Sequence, residues 1–379
     1  MTEPQSVTST VPQQPSPLLS ICIPTCNRAG FLRVMLEALL PQVRECGDAV
    51  EVCVLDNAST DATGEVLEQS RSLGPIRVYR QPTNLGPARN LIDGPARHAQ
   101  GKYSWVLGDH NLLRPGALRK VVRILEQNQG LSVFYTRFRC ALHPEHWPTG
   151  ATGGYDGNFE YLSDGENADR ILAHWHQILN PATSIGTQAY AHIVRTDIWQ
   201  RYWAERKLGS DFSDAWTTYP HTTMLCDTVL TEPVYVISDP PITIFNGAQS
   251  WSGFSLRQKV FLRGLPDLLR ILKKQNALPK AQVRLITNCF VKPNCRQVIA
   301  ASLERDGVLS LLKNHGFTIV SNYYLIPDSL LLSFKTTCPQ LYASCKRKVD
   351  SICNPGRWWI LNCRPVRWLR ALLPRTWLV

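Results

Sequence analysis

Four short apolar runs, each closed by a cluster of polar residues, dominate the first 110 or so positions of this 379-residue chain. The runs are Leu18–Pro24 (LLSICIP), Glu51–Asp56 (EVCVLD), Ile76–Arg80 (IRVYR) and Tyr103–Leu107 (YSWVL). Their apolar, β-branched character suits strands covered on both faces. Between the first two runs, FLRVMLEALLPQV carries apolar residues at helical spacing. Between the next two, Ser59 or Thr60 can cap a helix with Glu65 early in it. Strands alternating with helices at this interval predict an α/β fold, with a mostly parallel sheet built from right-handed crossovers.

In such open sheets ligands bind beyond the carboxyl ends of the strands. The four polar clusters fall at those ends: Pro24-Thr25-Cys26-Asn27-Arg28, Asp56-Asn57-Ala58-Ser59-Thr60-Asp61, Asn84-Leu85-Gly86-Pro87-Ala88-Arg89-Asn90, and Gly108-Asp109-His110-Asn111. One cluster alone is what ordinary turn and cap chemistry produces. Four in register across one sheet point to a shared binding site.

The rest of the chain is less regular. Residues 131–250 read as mixed, with strand-like SVFYTRF, a Gly-rich loop over Gly150–Gly157 and a helix near Asn167–Leu179. From about Ser255 the pattern turns helical and basic. Residues 251–379 hold 21 Lys and Arg against 5 Asp and Glu, whereas residues 1–250 hold 20 against 25. A field segregated in this way accompanies an anionic membrane face or a polyanion, or is a basic solvated surface without a target. Residues 1–17 are polar and Pro-rich, without the basic and apolar regions of a signal peptide, and read as a disordered leader. The twelve cysteines contain no CxxC pair, which favours reduced thiols over a metal or disulfide framework. No apolar run is long enough to span a bilayer.

The motifs PTCNR, DNASTD, NLGPARN and GDHN together resemble the family-2 glycosyltransferases of GT-A fold. The resemblance covers residues 18 to about 125 strongly and reaches weakly to about 230. It implies a Rossmann-like, mostly parallel sheet flanked by helices, followed here by a mainly helical basic C-terminal region. It divides the chain into a glycosyltransferase domain over 18–250, with a donor half (18–130) and an acceptor half (131–250), and a region over 251–379. It also implies a nucleotide diphosphate-sugar as donor. Thr25, Asn27, Arg28, Asp56, Asn57, Asn84, Gly86, Arg89, Asn90 and Asp109 are then the donor-binding residues. The chemistry fits: Asp56 can accept from a ring N–H of the base. Arg89 and Asn90 begin a helix suited to a diphosphate, and Gly86 lets the chain approach the ligand closely.

Asp109, His110 and Asn111 stand where the family has its DxD-type metal motif, so Mn²⁺ or Mg²⁺ is expected on oxygen ligands at the diphosphate. The last position is an amide here in place of a carboxylate, which weakens that site. A general base is expected near the acceptor hydroxyl. The segment Gln188–Trp199 followed by Tyr219-Pro220-His221 is similar to abequosyltransferase-like members, which act on bacterial surface-polysaccharide precursors. His221 is the first expectation for the base because an imidazole titrates near neutrality, and Asp214 is the second. Asp211 and His192 are weaker candidates for the base, reading rather as a turn residue and a sheet residue.

The C-terminal stretch RWWILNCRPVRWLRALLPRTWLV sets Arg364, Arg367 and Arg370 on one arc of a helix and Leu361, Trp368, Leu369 and Leu372 on the other. This matches a helix lying in a membrane interface, or one docked on the protein's own core. The expectation is therefore an inverting transferase on the cytoplasmic face of the membrane, with a glycan or polyprenyl-linked glycan acceptor. A non-catalytic nucleotide- or glycan-binding scaffold is the alternative. A nucleic-acid partner would leave the donor clusters without purpose, and a dehydrogenase lacks G-x-G-x-x-G after the first strand.

Overall fold

The computed structural model describes residues 16–141, 159–161, 168–181, 185–245, 253–302 and 304–305. The first half runs β1 (Leu19–Thr25), α1 (Ala29–Cys46), β2 (Val50–Asp56), α2 (Thr63–Ser70), β3 (Arg77–Arg80), α3 (Pro87–Asp93), β4 (Tyr103–Val106), β5 (Asn111–Leu113), α4 (Ala117–Gln127) and β6 (Val133–Ala141). The chain continues through β7 (Phe159–Tyr161), β8 (Arg170–Leu172), β9 (His192–Arg195), α5 (Thr196–Trp203), α6 (Ala215–Thr218), α7 (Pro220–Thr228) and β10 (Val234–Phe245). Helices α8 (Phe254–Lys259), α9 (Leu265–Lys274) and α10 (Lys280–Ile286) follow.

The sheet has the order β3-β2-β1-β4-β9-β6-β10-β5. β3, β2, β1 and β4 are parallel. β9 then runs antiparallel between β4 and β6, β6 and β10 are parallel, and β5 is antiparallel to β10. The parallel half realises the alternation read from the sequence, and the reversals at β9 and β5 make the whole sheet mixed.

β1, β2 and β4 are mostly buried and largely apolar, as strands covered on both faces are, whereas β3 at the edge (RVYR) is only partly buried. In β1, Leu19, Ile21, Cys22 and Ile23 are fully buried. α1 presents Leu32, Met35, Leu36, Leu39, Leu40 and Val43 to the core, at spacings of three and four. Each such side chain contributes roughly 1.5–3 kcal/mol of transfer free energy. Trp105 on β4 and Phe134 and Phe138 on β6 fill the space where the two halves of the sheet meet.

Three local expectations change. α2 starts at Thr63, not after Ser59 or Thr60, because both residues are engaged by Asn27. Arg170–Leu172 is a strand paired with β10, and Trp175–Ile178 is a single 3₁₀ turn, where a helix was expected. The Gly-rich loop and the Arg/Trp-rich C-terminal stretch lie outside the described residues. The first compact unit extends through Asn294, so α8–α10 belong with the sheet. Asp267 of α9 accepts from the Ala215 amide at the start of α6, and Gly264 packs directly on Thr218. Residues 295–379 form a second unit.

Candidate active site

Strand register alone brings the first two polar clusters and the last residue of the third apolar run into a row. Thr25 pairs with Asp56 across β1 and β2, and Asp56 pairs with Arg80 across β2 and β3. The chain after β4 completes the row. Thr25 Oγ1 donates to Asp109 Oδ2 at 2.9 Å, and Arg28 Nε donates to Asp109 Oδ1 at 2.8 Å. Asp109 is only 4% exposed, so this charge-assisted pair lies in a partly dehydrated setting where it holds its geometry firmly.

The loop after β1 is shaped by Asn27, which sits at a φ of 55°. Asparagine tolerates that left-handed conformation because its short amide can bond locally. Its Oδ1 accepts from the Thr60 amide at 2.6 Å, while its own amide donates to Ser59 Oγ at 2.9 Å. The PTCNR and DNASTD turns are thereby stitched together. Asn57 ties in the third cluster: its Nδ2 donates to Asn84 Oδ1 at 2.9 Å, and its Oδ1 accepts from the Leu85 amide at 2.8 Å. Asn90 reaches back from α3 to donate to the Leu55 carbonyl at 2.8 Å. Its role in this structure is to fasten the helix to the strand ends.

Asp56 is 1% exposed and both its oxygens are engaged. Oδ1 accepts from the Ser59 amide at 2.9 Å, and Oδ2 accepts from Arg80 Nη1 at 2.8 Å. Arg80 also donates to the Ser59 carbonyl at 2.7 Å, and its side chain remains 55% exposed. The sequence reading missed Arg80. Its signal was there, as the last residue of the third apolar run, but it carried no motif.

Arg89 departs from the row. Its Nε pairs with Asp93 at 2.8 Å, one turn along α3, and Arg97 joins the same carboxylate at 3.1 Å. Arg89 lines a separate hollow of about 370 Å³ with Arg97, Gln200 and Trp203. A larger groove of about 1470 Å³ opens at the amino-terminal ends of the parallel strands, among Arg44, Glu51, Arg77, Lys102 and Arg195. It contains none of the predicted donor residues, so size does not locate the site here; the strand ends do.

The metal expectation meets a mixed outcome. His110 Nδ1 lies 3.2 Å from Asp109 Oδ1, so these two groups sit side by side. Asn111 is fully buried, and its Oδ1 accepts from the Gly108 amide at 2.7 Å. That amide therefore shapes the turn and offers no free carbonyl oxygen. A cation bound through one carboxylate, with substrate phosphates and water completing its shell, fits Asp109 and His110. Among the described residues, no cluster of three or more His, Cys, Asp or Glu is arranged to hold a metal.

The acceptor-side candidates are placed otherwise than their residue types imply. His221 is 4% exposed at the start of α7, its Nε2 3.1 Å from Thr222 Oγ1. Its ring lies 6.1 Å from that of His192. Burial, with the neighbouring His192 adding to it, pushes His221 down to about 3, and burial pushes His192 down to about 4. Both imidazoles are neutral at physiological pH and shielded from bulk water, so the near-neutral titration expected of His221 is lost. Asp214 caps α6, accepting from the Thr217 amide and hydroxyl, each at 2.8 Å. Asp211, read as a turn residue, instead reaches the NLGPARN segment, where the Ala88 amide donates to its Oδ1 at 3.4 Å.

Residues 20–204 match the family model described as "Glycosyl transferase family 2". The chain carries a family 2 glycosyltransferase domain. Over 103 residues this domain is 38% identical to abequosyltransferase RfbV of Salmonella typhimurium, covering 27% of this chain and 30% of that protein. Over 125 residues it is 32% identical to an uncharacterized glycosyltransferase of Haemophilus influenzae, covering 33% of this chain and 40% of the relative. The matches thus span well under half the length of these relatives. Among solved structures, S. aureus TarS 1–349 superposes with a TM-score of 0.54 at 14% identity, covering 90% of this chain and 92% of that one. The same protein in complex with UDP-GlcNAc gives 0.51 at 12% identity, over 88% and 91%. At those identities the likeness speaks for the fold, which is GT-A. The glycosyltransferase domain therefore has its four motif clusters at the strand ends, three of them coupled by named hydrogen bonds and the fourth by Asp109.

Proposed function

We propose that this protein is an inverting glycosyltransferase that moves a sugar from a nucleotide diphosphate-sugar to a glycan acceptor by direct displacement. One observation carries the reading: Thr25, Arg28 and Asp109, from two motifs 81 or more residues apart, converge in a single buried hydrogen-bonded group at the carboxyl edge of the sheet. Asp56, Asn57, Asn84 and Gly86 line the base side of the donor, and Arg28 with Thr25 faces the diphosphate. Asp109, with His110 beside it, would hold a Mg²⁺ or Mn²⁺ ion, which would neutralise charge on the leaving nucleoside diphosphate.

The acceptor is a glycan, lipid-linked through a polyprenyl diphosphate, in assembly of a bacterial surface polysaccharide. Similarity to the abequosyltransferase supports this, as does the excess of 21 basic over 5 acidic residues beyond position 250. Each Lys or Arg near an anionic lipid surface contributes about 1 kcal/mol, which suits a peripheral enzyme on the inner face of the membrane. Among the described residues no helix is long and apolar enough to cross a membrane.

The test is a thermal-shift panel of UDP, CDP, GDP and dTDP, each with and without Mn²⁺. A ligand selective for the native state raises the transition by mass action, so one nucleotide should stand out and the cation should deepen its effect. A flat panel refutes the donor site. A scaffold without catalysis is the second reading, motivated by the inward turn of Asn111. Release of nucleoside diphosphate from the matching nucleotide sugar by the purified protein excludes it.

A further inference from the structure

Between Leu268 and Asn294 the chain carries six Lys and Arg and no Asp or Glu. That run covers most of α9, the turn after it, and α10 with the helical turn Thr287–Val291 that continues it. α9 buries Leu268, Leu269 and Leu272 against the domain. α10 is fastened by Gln282, whose Nε2 donates to the carbonyls of His176 and Leu179 at 2.6 and 3.0 Å. The other side of this helix faces out: Ala281, Arg284, Leu285, Asn288 and Cys289, spaced by three and four, are exposed.

Most of the charges here lack counter-charges. Arg270 pairs with Asp267 at 2.7 Å, but Lys274, Lys280, Arg284 and Lys292 form no ion pair with any described residue. Asp227, beside the turn, is taken by the Tyr202 hydroxyl at 2.6 Å and by Gln275. Partial burial, and then the positive charges of Lys292 and Arg270, lower Lys273 from its ordinary value, so α9 and α10 bring their cations within electrostatic reach of one another. Leu285 stands 49% exposed among them, next to Arg284. Basic side chains around a protruding aliphatic one match an anionic bilayer, where the cations meet headgroups and the leucine enters the acyl boundary. From this placement we infer that the outer face of α9 and α10 is the surface by which the protein docks on anionic phospholipid. The inference deepens the peripheral-enzyme reading above, on which it rests, by naming the side of the molecule that makes the contact. Single-stranded nucleic acid is the rival polyanion, but it is held by stacking on exposed aromatic rings, of which this face has none.

The experiment measures partitioning of the full chain onto sedimented vesicles of phosphatidylcholine alone and of phosphatidylcholine with phosphatidylglycerol. Binding is expected on the anionic vesicles only, and it should weaken as salt is raised. The triple variant Lys274→Gln, Lys280→Gln, Arg284→Gln should bind roughly 100-fold more weakly, since each cation at the surface changes affinity about fivefold. Leu285→Ser should lose roughly five- to tenfold. Arg71→Gln, Arg119→Gln, Lys120→Gln removes as many charges from other exposed sites and should stay within about threefold of the parent. A triple variant within about tenfold of the parent, an equal loss in the control set, or tighter binding to a single-stranded oligonucleotide overturns the assignment. Calorimetry of nucleoside diphosphate binding on the same preparations keeps the two readings apart. Vesicle binding without nucleotide binding overturns the donor site and keeps this face, and the reverse result overturns this face alone.

Discussion

The donor half and the acceptor half of this domain hold their polar residues in different ways. In the donor half, Thr25, Asp56 and Arg80 are neighbours because parallel strands in register place them so. In the acceptor half, Asp211, Asp214 and His221 lie within eleven residues of one another along the chain, yet each has a different fate. One carboxylate rests on Gly86, one caps a helix, and the imidazole is buried. A β-strand end fixes where a side chain goes from local pattern alone, whereas a connecting loop leaves that decision to what packs against it.

The sharpest way to break this contrast is Asp109→Ala. It removes the partner of both Thr25 and Arg28, so turnover should fall on the order of 10³-fold while circular dichroism stays unchanged. Unaltered turnover would mean that the strand-end cluster is only structural. Gly86→Ala tests the seam between the halves, since it forces a Cβ into the Asp211 carboxylate at a positive φ. A stability loss of about 1–3 kcal/mol in denaturant titration is expected. Pairing it with Asp211→Gly should recover part of that loss, and strict additivity of the two would deny the contact.

Arg80→Ala should cost about 1–2 kcal/mol, because it strips a charge-assisted hydrogen bond from a carboxylate that is 1% exposed. The accompanying loss of nucleotide affinity, read by calorimetry, would place Arg80 in the donor pocket and not merely beneath it. A pH dependence tests the acceptor half. His192 and His221 are less basic folded than unfolded, so the unfolded chain takes up protons first as the pH falls. From these two groups, stability should be constant well above pH 6.5 and decline below it with a slope that approaches about 1.4 kcal/mol per pH unit for each histidine, toward about pH 4. His221→Phe should flatten part of that slope in thermal melts at pH 7.5 and 5, and an unchanged slope would mean that the ring is not buried and neutral.

Much of the donor half is legible in the sequence. The four apolar runs became β1–β4 within a residue or two at either end, and their polar ends became one connected row. Even there the reading had limits. Arg89 and Asn90 stand at a helix start as expected, but Asp93 captures the first and the Leu55 carbonyl the second. Asn111 sits in the expected turn, yet the Gly108 amide claims its oxygen. These are competitions between hydrogen-bond partners, and no spacing rule reports which partner wins. The helix expected near Asn167–Leu179 gives way to a short strand and a 3₁₀ turn, which mimic helical spacing over so few positions.

By itself the sequence determined the parallel α/β core and the side of the sheet on which a ligand binds. Apolar periodicity and strand-end chemistry act over a few residues and are written directly in the chain. The tertiary structure alone decided the reversal at β9, the burial of the two histidines and the reach of Asp211 to Gly86. Each of these depends on contacts between separate segments of the chain, where desolvation and packing, not residue type, set the charge and the exposure of a side chain.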